Sequence, residues 1–323
     1  MDIAKQVKTA LDETRILILG AQILLGFQFR VAFQDAFDSL PALARHLDGV
    51  ALLLMLATVA LLIAPSAAHR IASEGEASGR IHDVISKGAA SALLPFALAL
   101  GLDFWIALDG MAGRGWAIVA GVAVAGFAFA LWYGLGMLRR PWAGRKEREM
   151  TAQQIDRVER TPLHQKIQQM LTEARVVLPG AQALLGFQLS IIVTKGFEAL
   201  PASSKMMHGA SLCLLALTVI LLMTPAAYHR LVYAGEDSAE FHRAGSIMIA
   251  AAMLPLALGI SADVYVVMTK IADSAALGGA IAATAFAGFV VLWYLVPLVR
   301  RRSLQPARAL ASNRGADRRN RMV

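Results

Sequence analysis

The sequence predicts an all-α polytopic membrane protein, with eight transmembrane helices in two parallel four-helix repeats. Three observations carry that prediction. Of 323 residues, 57% are hydrophobic and 17% charged, against about a quarter charged in ordinary soluble domains, and the mean hydropathy is +0.56. Apolar runs of spanning length recur along the chain, since a bilayer core of about 30 Å takes about 20 helical residues. Finally, LDETRILILGAQILLGFQF at 11–29 returns as LTEARVVLPGAQALLGFQL at 171–189. At that offset of 160 (171 − 11), residues 11–105 align without a gap and over a third of positions are identical, more than shared composition gives.

The elements follow in order. Ile3, Val7 and Leu11 fall on one helical face, with Lys5, Lys8 and Asp12 elsewhere, which predicts a short helix lying on the membrane surface over 1–14. Leu163, Ile167 and Leu171 repeat it. First spans are expected over 16–33 and 176–193, each followed by a loop centred on a Leu-Pro pair, Leu40 with Pro41 and Leu200 with Pro201. Second spans, 50–68 and 210–228, carry Pro65 and Pro225 and close on His69-Arg70 and His229-Arg230. A polar loop with Gly75, Glu76 and His82 is matched by Gly235, Glu236 and His242. Third spans, 88–108 and 248–268, hold Pro95 with Asp103 and Pro255 with Asp263. Fourth spans, 116–138 and 277–299, end in Leu131-Trp132-Tyr133 and Leu292-Trp293-Tyr294, each followed by an arginine pair. There the offset is 161, so the second copy has gained one residue.

The expected domains are a first repeat over 1–140, a charged cytoplasmic linker over 141–162, a second repeat over 163–301 and a basic, disordered tail over 302–323. With eight helices, 25 of the 31 Lys and Arg residues fall on the side of the termini. The positive-inside rule then puts both termini in the cytoplasm. Four helices per repeat make the copies parallel, and packing about a pseudo-two-fold axis along the membrane normal is expected. The net charge of +8 flanks the spans rather than lining one surface, which excludes nucleic acid and suits anionic lipids at the cytoplasmic face. The single cysteine, Cys213, excludes an intrachain disulfide. The first apolar run holds two glutamines and no small-residue cleavage pattern, so it is expected to remain as a helix.

Asp103 and Asp263 are the acids inside the predicted spans, and burying a charge there is costly, so they are candidate proton or monovalent-cation sites. Each stands five residues before the expected end of its span, about 8 Å from the boundary, beside Trp105 or Tyr265 as in an aromatic interface belt. Gln22 and Gln182, with Gln28 and Gln188, are candidates for helix packing or for lining a polar path where the copies face each other. Arg30, whose counterpart is Ser190, reads as a cation snorkelling to the outer surface or, with the glutamines, as a single cation in an otherwise paired packing or pathway-lining site. Glu13, Arg15, Glu173 and Arg175 stand two apart in pairs and do not face one another on a helix, so each is expected to meet a neighbouring helix or a headgroup. His69, Arg70, His229 and Arg230 sit at the membrane interface with the LWY anchors. All seven histidines fall outside the predicted spans, and their spacing matches no compact metal signature. No GxSxG, HExxH or Gly-rich phosphate loop occurs, so no catalytic residue, metal or cofactor is expected, and the protein is not read as an enzyme.

Glu-x-Arg before an LPGAQ-like helix start, GFQ in the first span, P-x-A-x-H-R closing the second and LWY followed by arginines closing the fourth resemble a family. It is one of small four-helix bacterial membrane proteins of unknown function, often labelled sodium:proton antiporter. Each half resembles one member. LPGAQ is intact at Leu178 to Gln182, while Leu19 replaces the proline in the first copy, and Gly136 stands where the second copy has Pro297. The resemblance implies a bacterial inner-membrane location and proton or small-cation transport; a non-transporting scaffold or accessory protein is the alternative.

Overall fold

Where no water can reach the backbone, an apolar segment must satisfy its own N–H and C=O groups, and the spans accordingly form continuous helices. The computed structural model describes residues 3–73, 76–134, 158–159, 161–233 and 236–302. The first repeat comprises α1 (Ile3–Val31), α2 (Ala42–Ile71), α3 (Gly79–Ala112) and α4 (Arg114–Phe129). The second comprises α5 (Leu163–Ile191), α6 (Ala202–Leu231), α7 (Ala239–Ala272) and α8 (Ala275–Val290). All eight are long and apolar enough to cross a membrane, and the chain is a multi-pass membrane protein. A two-residue antiparallel pairing joins Ala77–Ser78 to Val158–Glu159. Most of the expected linker, Arg139, Arg140 and the tail beyond Arg302 lie outside the described residues.

The helix starts have local causes. Ser78, Ser238 and Ser274 cap α3, α7 and α8, each side chain accepting from the N–H three residues on. Pro41 and Pro201 sit at the N-caps of α2 and α6 with φ of −53° and −57°, so these helices begin eight residues before the apolar runs at 50 and 210. The extra residue of the second copy lies in the turn between the last two helices. Gly113 alone makes that turn in the first repeat at φ +80°, whereas Asp273 (φ 50°) and Ser274 make it in the second. Helices α3 and α7 run through Pro95 and Pro255 without ending.

The separate surface helices are not formed. Nothing between Leu11 and Ile16 breaks a helix, so the amphipathic stretch runs straight into the span. Val7 and Leu11 are buried in a small cluster with Ala68, Ile81 and Ile85. The tyrosines of both LWY stretches lie in π-helical turns, Ala130–Gly134 and Val291–Leu295. The Tyr133 hydroxyl donates to the Ala90 carbonyl, and that of Tyr294 to Ala250 at 2.6 Å.

The two repeats do not meet about a two-fold axis. Helices α1 and α5 pack together, and α2 packs on α7 and on the π turn after α8, but the equivalent α6 makes no comparable contact with α3 or α4. The burial follows: in its most apolar stretch α2 is 61% buried and α6 only 28%, while α7 is 61% buried and α3 22%. Trp293 is therefore not an interface anchor. It is buried between the repeats, its indole N–H donating to the Ala60 carbonyl at 3.0 Å, and its ring lies 4.5 Å from that of Phe289. A Cβ on Gly180 would collide with the Gln22 side chain, and one on Gly26 with the Phe187 ring. These glycines let α1 and α5 approach, the usual means of helix association in lipid.

Candidate functional site

Two glutamines near the C-terminal ends of α1 and α5 organise polar clusters, one inside each repeat. In the second, the Gln188 amide donates to Ser211 Oγ at 2.6 Å and to an Asp263 carboxylate oxygen. The Ser211 hydroxyl donates onward to the Gly259 carbonyl at 2.7 Å, tying α6 to α7. His208, three residues before Ser211 and so on the same face of α6, sets Nε2 3.2 Å from the Gln188 carbonyl and Nδ1 3.7 Å from Asp263 Oδ1. All four residues are buried.

The first repeat builds the same cluster with different chemistry. The Gln28 amide nitrogen lies 3.1 and 3.0 Å from the two Asp103 oxygens. Asp48 stands where the second repeat has His208 and is buried on α2, which packs against the α3 that carries Asp103. Ala51 replaces Ser211, and Asp48 Oδ2 has no hydrogen-bond partner among the described residues. The second repeat thus sets an imidazole 3.7 Å from its carboxylate, while the first has a second acid at the position of that imidazole.

Each aspartate is nine residues before the end of its helix (112 − 103 and 272 − 263), about 14 Å along the axis, because α3 and α7 outlast the apolar runs. Asp263 is buried and Asp103 partly so.

The other sequence-selected residues divide by repeat. Gln22 is buried against Gly180 at the seam, its amide making no hydrogen bond among the described residues, whereas Gln182 is exposed on the far side of α5. The two amides do not face each other. Glu173 is buried between the repeats, bonded to the Arg70 guanidinium with His69 Nδ1 at 3.6 Å; its twin Glu13 is exposed. Arg15 is buried, paired with Asp12 and reaching the Gln169 carbonyl at 3.4 Å, while Arg175 is exposed. His229 stacks on Phe241 with ring centroids 4.3 Å apart, and Arg230 is exposed. Arg30 is half-buried near the end of α1. Among the described residues no cluster of three or more His, Cys, Asp or Glu could hold a metal ion.

Two site residues escape the apolar-run reading, Asp48 and His208. Each falls two residues before its predicted span, and because the helices outrun the apolar runs, all seven histidines, His208 among them, lie within the membrane-length helices and not outside them as expected. A titratable side chain at the same position of both copies is the signal that marks them.

The duplication is matched by a family model that fits the chain twice, over residues 3–136 and 153–297, described as a family of unknown function (DUF6328). The chain belongs to that family. It is a tandem pair of DUF6328 repeats, and no curated protein and no solved structure matches it.

Proposed function

We propose that the protein moves a proton or small monovalent cation across a bacterial inner membrane, in the manner of an antiporter, and is not an enzyme. The observation that carries this is Asp103, held by Gln28 inside a membrane-length bundle, with a second buried acid, Asp48, on the adjoining α2. Carboxylates in low dielectric call for a counter-charge, and Asp48 Oδ2 has no hydrogen-bond partner among the described residues. Asp103 and Asp48 are the exchanging groups. Asp263 with His208 is a modified copy, in which an imidazole occupies the place of the second acid. The termini face the cytoplasm, where the basic flanks meet anionic lipid.

The test is cation-driven pH change inside proteoliposomes of purified protein. Asp103→Asn with Asp263→Asn should reduce exchange at least about tenfold, equivalent to about 1.4 kcal/mol in a barrier. Full exchange in that double variant overturns the mechanism. The complete burial of Asp263 among Gln188, Ser211 and His208 favours the second reading, a polar knot that only binds helices together. On that reading no variant changes ion flux, and Asp263→Asn lowers stability alone.

A further inference from the structure

The seam between the repeats is heterologous. The first repeat contributes an α1–α2 face, and the second receives it with α5, α7 and the π turn after α8. Because the repeats share one sequence pattern, each face has a second copy that this contact does not use. The second repeat owns an α5–α6 version of the donating face, and the first owns an α1–α3–π version of the receiving face. We propose that these unused faces join copies of the chain head to tail, closing a ring about the membrane normal.

The seam provides the template residue by residue. On α5, Glu173, Gly180 and Phe187 form a stripe at seven-residue spacing turned to α1, and Glu173 and Gly180 are buried. On α1 the corresponding Glu13 and Gly20 are exposed, with nothing near a Cβ on Gly20, while the half-exposed Phe27 already meets Phe187 of the internal seam, ring centroids 4.4 Å apart. On the donating side Gln22 fills the hollow at Gly180, while its twin Gln182 is exposed and makes no hydrogen bond among the described residues. Glu173 binds Arg70 across the seam, while Glu13 and Arg230, the corresponding pair, are exposed and make no ion pair among the described residues. Trp293 donates to the Ala60 carbonyl, and the equivalents are a half-exposed Trp132 and an Ile220 that is 61% exposed.

Lipid tails would cover exposed leucines and valines without loss, but they give nothing to an amide in mid-span, and Glu13 and Arg230, nearer their helix ends, carry opposite charges in the positions of the Glu173–Arg70 pair. A second chain supplies each partner: Gly20 for Gln182 to pack against, and Glu13 for Arg230. A heterologous contact repeats until its rotation closes. The interchain seam lacks one link of the internal one, since Lys270, 3.0 Å from Asp38, has Gly110 as its counterpart. It is therefore the weaker of the two.

The test uses the full chain in a Cys213→Ser background. Two differently tagged versions, one with Gly20→Cys and one with Gln182→Cys, are co-expressed and treated with a short bis-maleimide in the membrane. The expected product carries both tags and is absent when either version is expressed alone. Native mass spectrometry from lipid nanodiscs should give one defined multiple of the chain mass. Glu13→Arg or Arg230→Glu, both at exposed positions, should each dissociate it, and the double exchange should restore it. A monomer in nanodiscs with no mixed product overturns the proposal. So does Gly20-to-Gly20 cross-linking, which would mark a two-fold dimer, or capture of a different protein by either cysteine.

Discussion

At the scale of single residues, identical letters have unlike surroundings. Glu173 is buried with Arg70 and His69, and Glu13 stands in the open. Removing one member of a buried ion pair strands the other, which costs about 3–5 kcal/mol. Glu173→Gln should therefore lower the thermal midpoint of the detergent-dispersed chain by several degrees, whereas Glu13→Gln should stay within about 0.5 kcal/mol of the parent. A larger loss at Glu13 would contradict the exposure assigned to it. The sequence exposes Asp103 and Asp263 because an acid in an apolar run is conspicuous, and it exposes Gln28 and Gln188 because they recur. It does not tell Glu13 from Glu173, or Gln22 from Gln182, since burial there depends on which side of a contact each repeat occupies. Asp48 and His208 are hidden for a different reason: proline at the N-cap starts their helices ahead of the apolar residues that announce them.

Among the elements, the existence of all eight helices is legible from apolar run length, and their ends are not. Hydropathy falls before the backbone stops being helical, as at Leu11 to Ile16 and beyond Leu108, where nothing interrupts the hydrogen-bond ladder. That extension sets Asp103 and Asp263 further from their helix ends and makes the amphipathic stretch at the start of α1 part of the bundle. The close approach of α1 and α5 rests on Gly180, where any side chain meets Gln22. Gly180→Val should overpack the crossing and destabilise by about 1–3 kcal/mol. Gly20→Val, with open space around it, should leave the stability of the separated chain unchanged in the same denaturation measurement. Equal losses at both positions would mean that the repeats pack symmetrically.

For the whole molecule, duplication with an even helix count makes the repeats parallel, and this is readable from sequence alone. It has a direct consequence in labelling. With Cys213 replaced by serine, an impermeant maleimide should reach Ser39→Cys and Ala199→Cys from one side of the membrane and Lys8→Cys from the other. Labelling of the first two from opposite sides would refute the parallel arrangement. The pseudo-two-fold packing, in contrast, does not follow from parallel repeats. Two similar surfaces can meet alike-to-alike or front-to-back, and the choice depends on side-chain fit at residues such as Gly180 and Trp293. Front-to-back contact also gives the gene a direction. A permuted chain with 163–301 ahead of 1–140 would keep every helix and its orientation, yet its linker would run from the π turn after α8 to α1, both members of the present seam, instead of from the π turn after α4 to α5. The order of the two halves along the polypeptide is thus itself a structural variable, one that neither half carries in its own sequence.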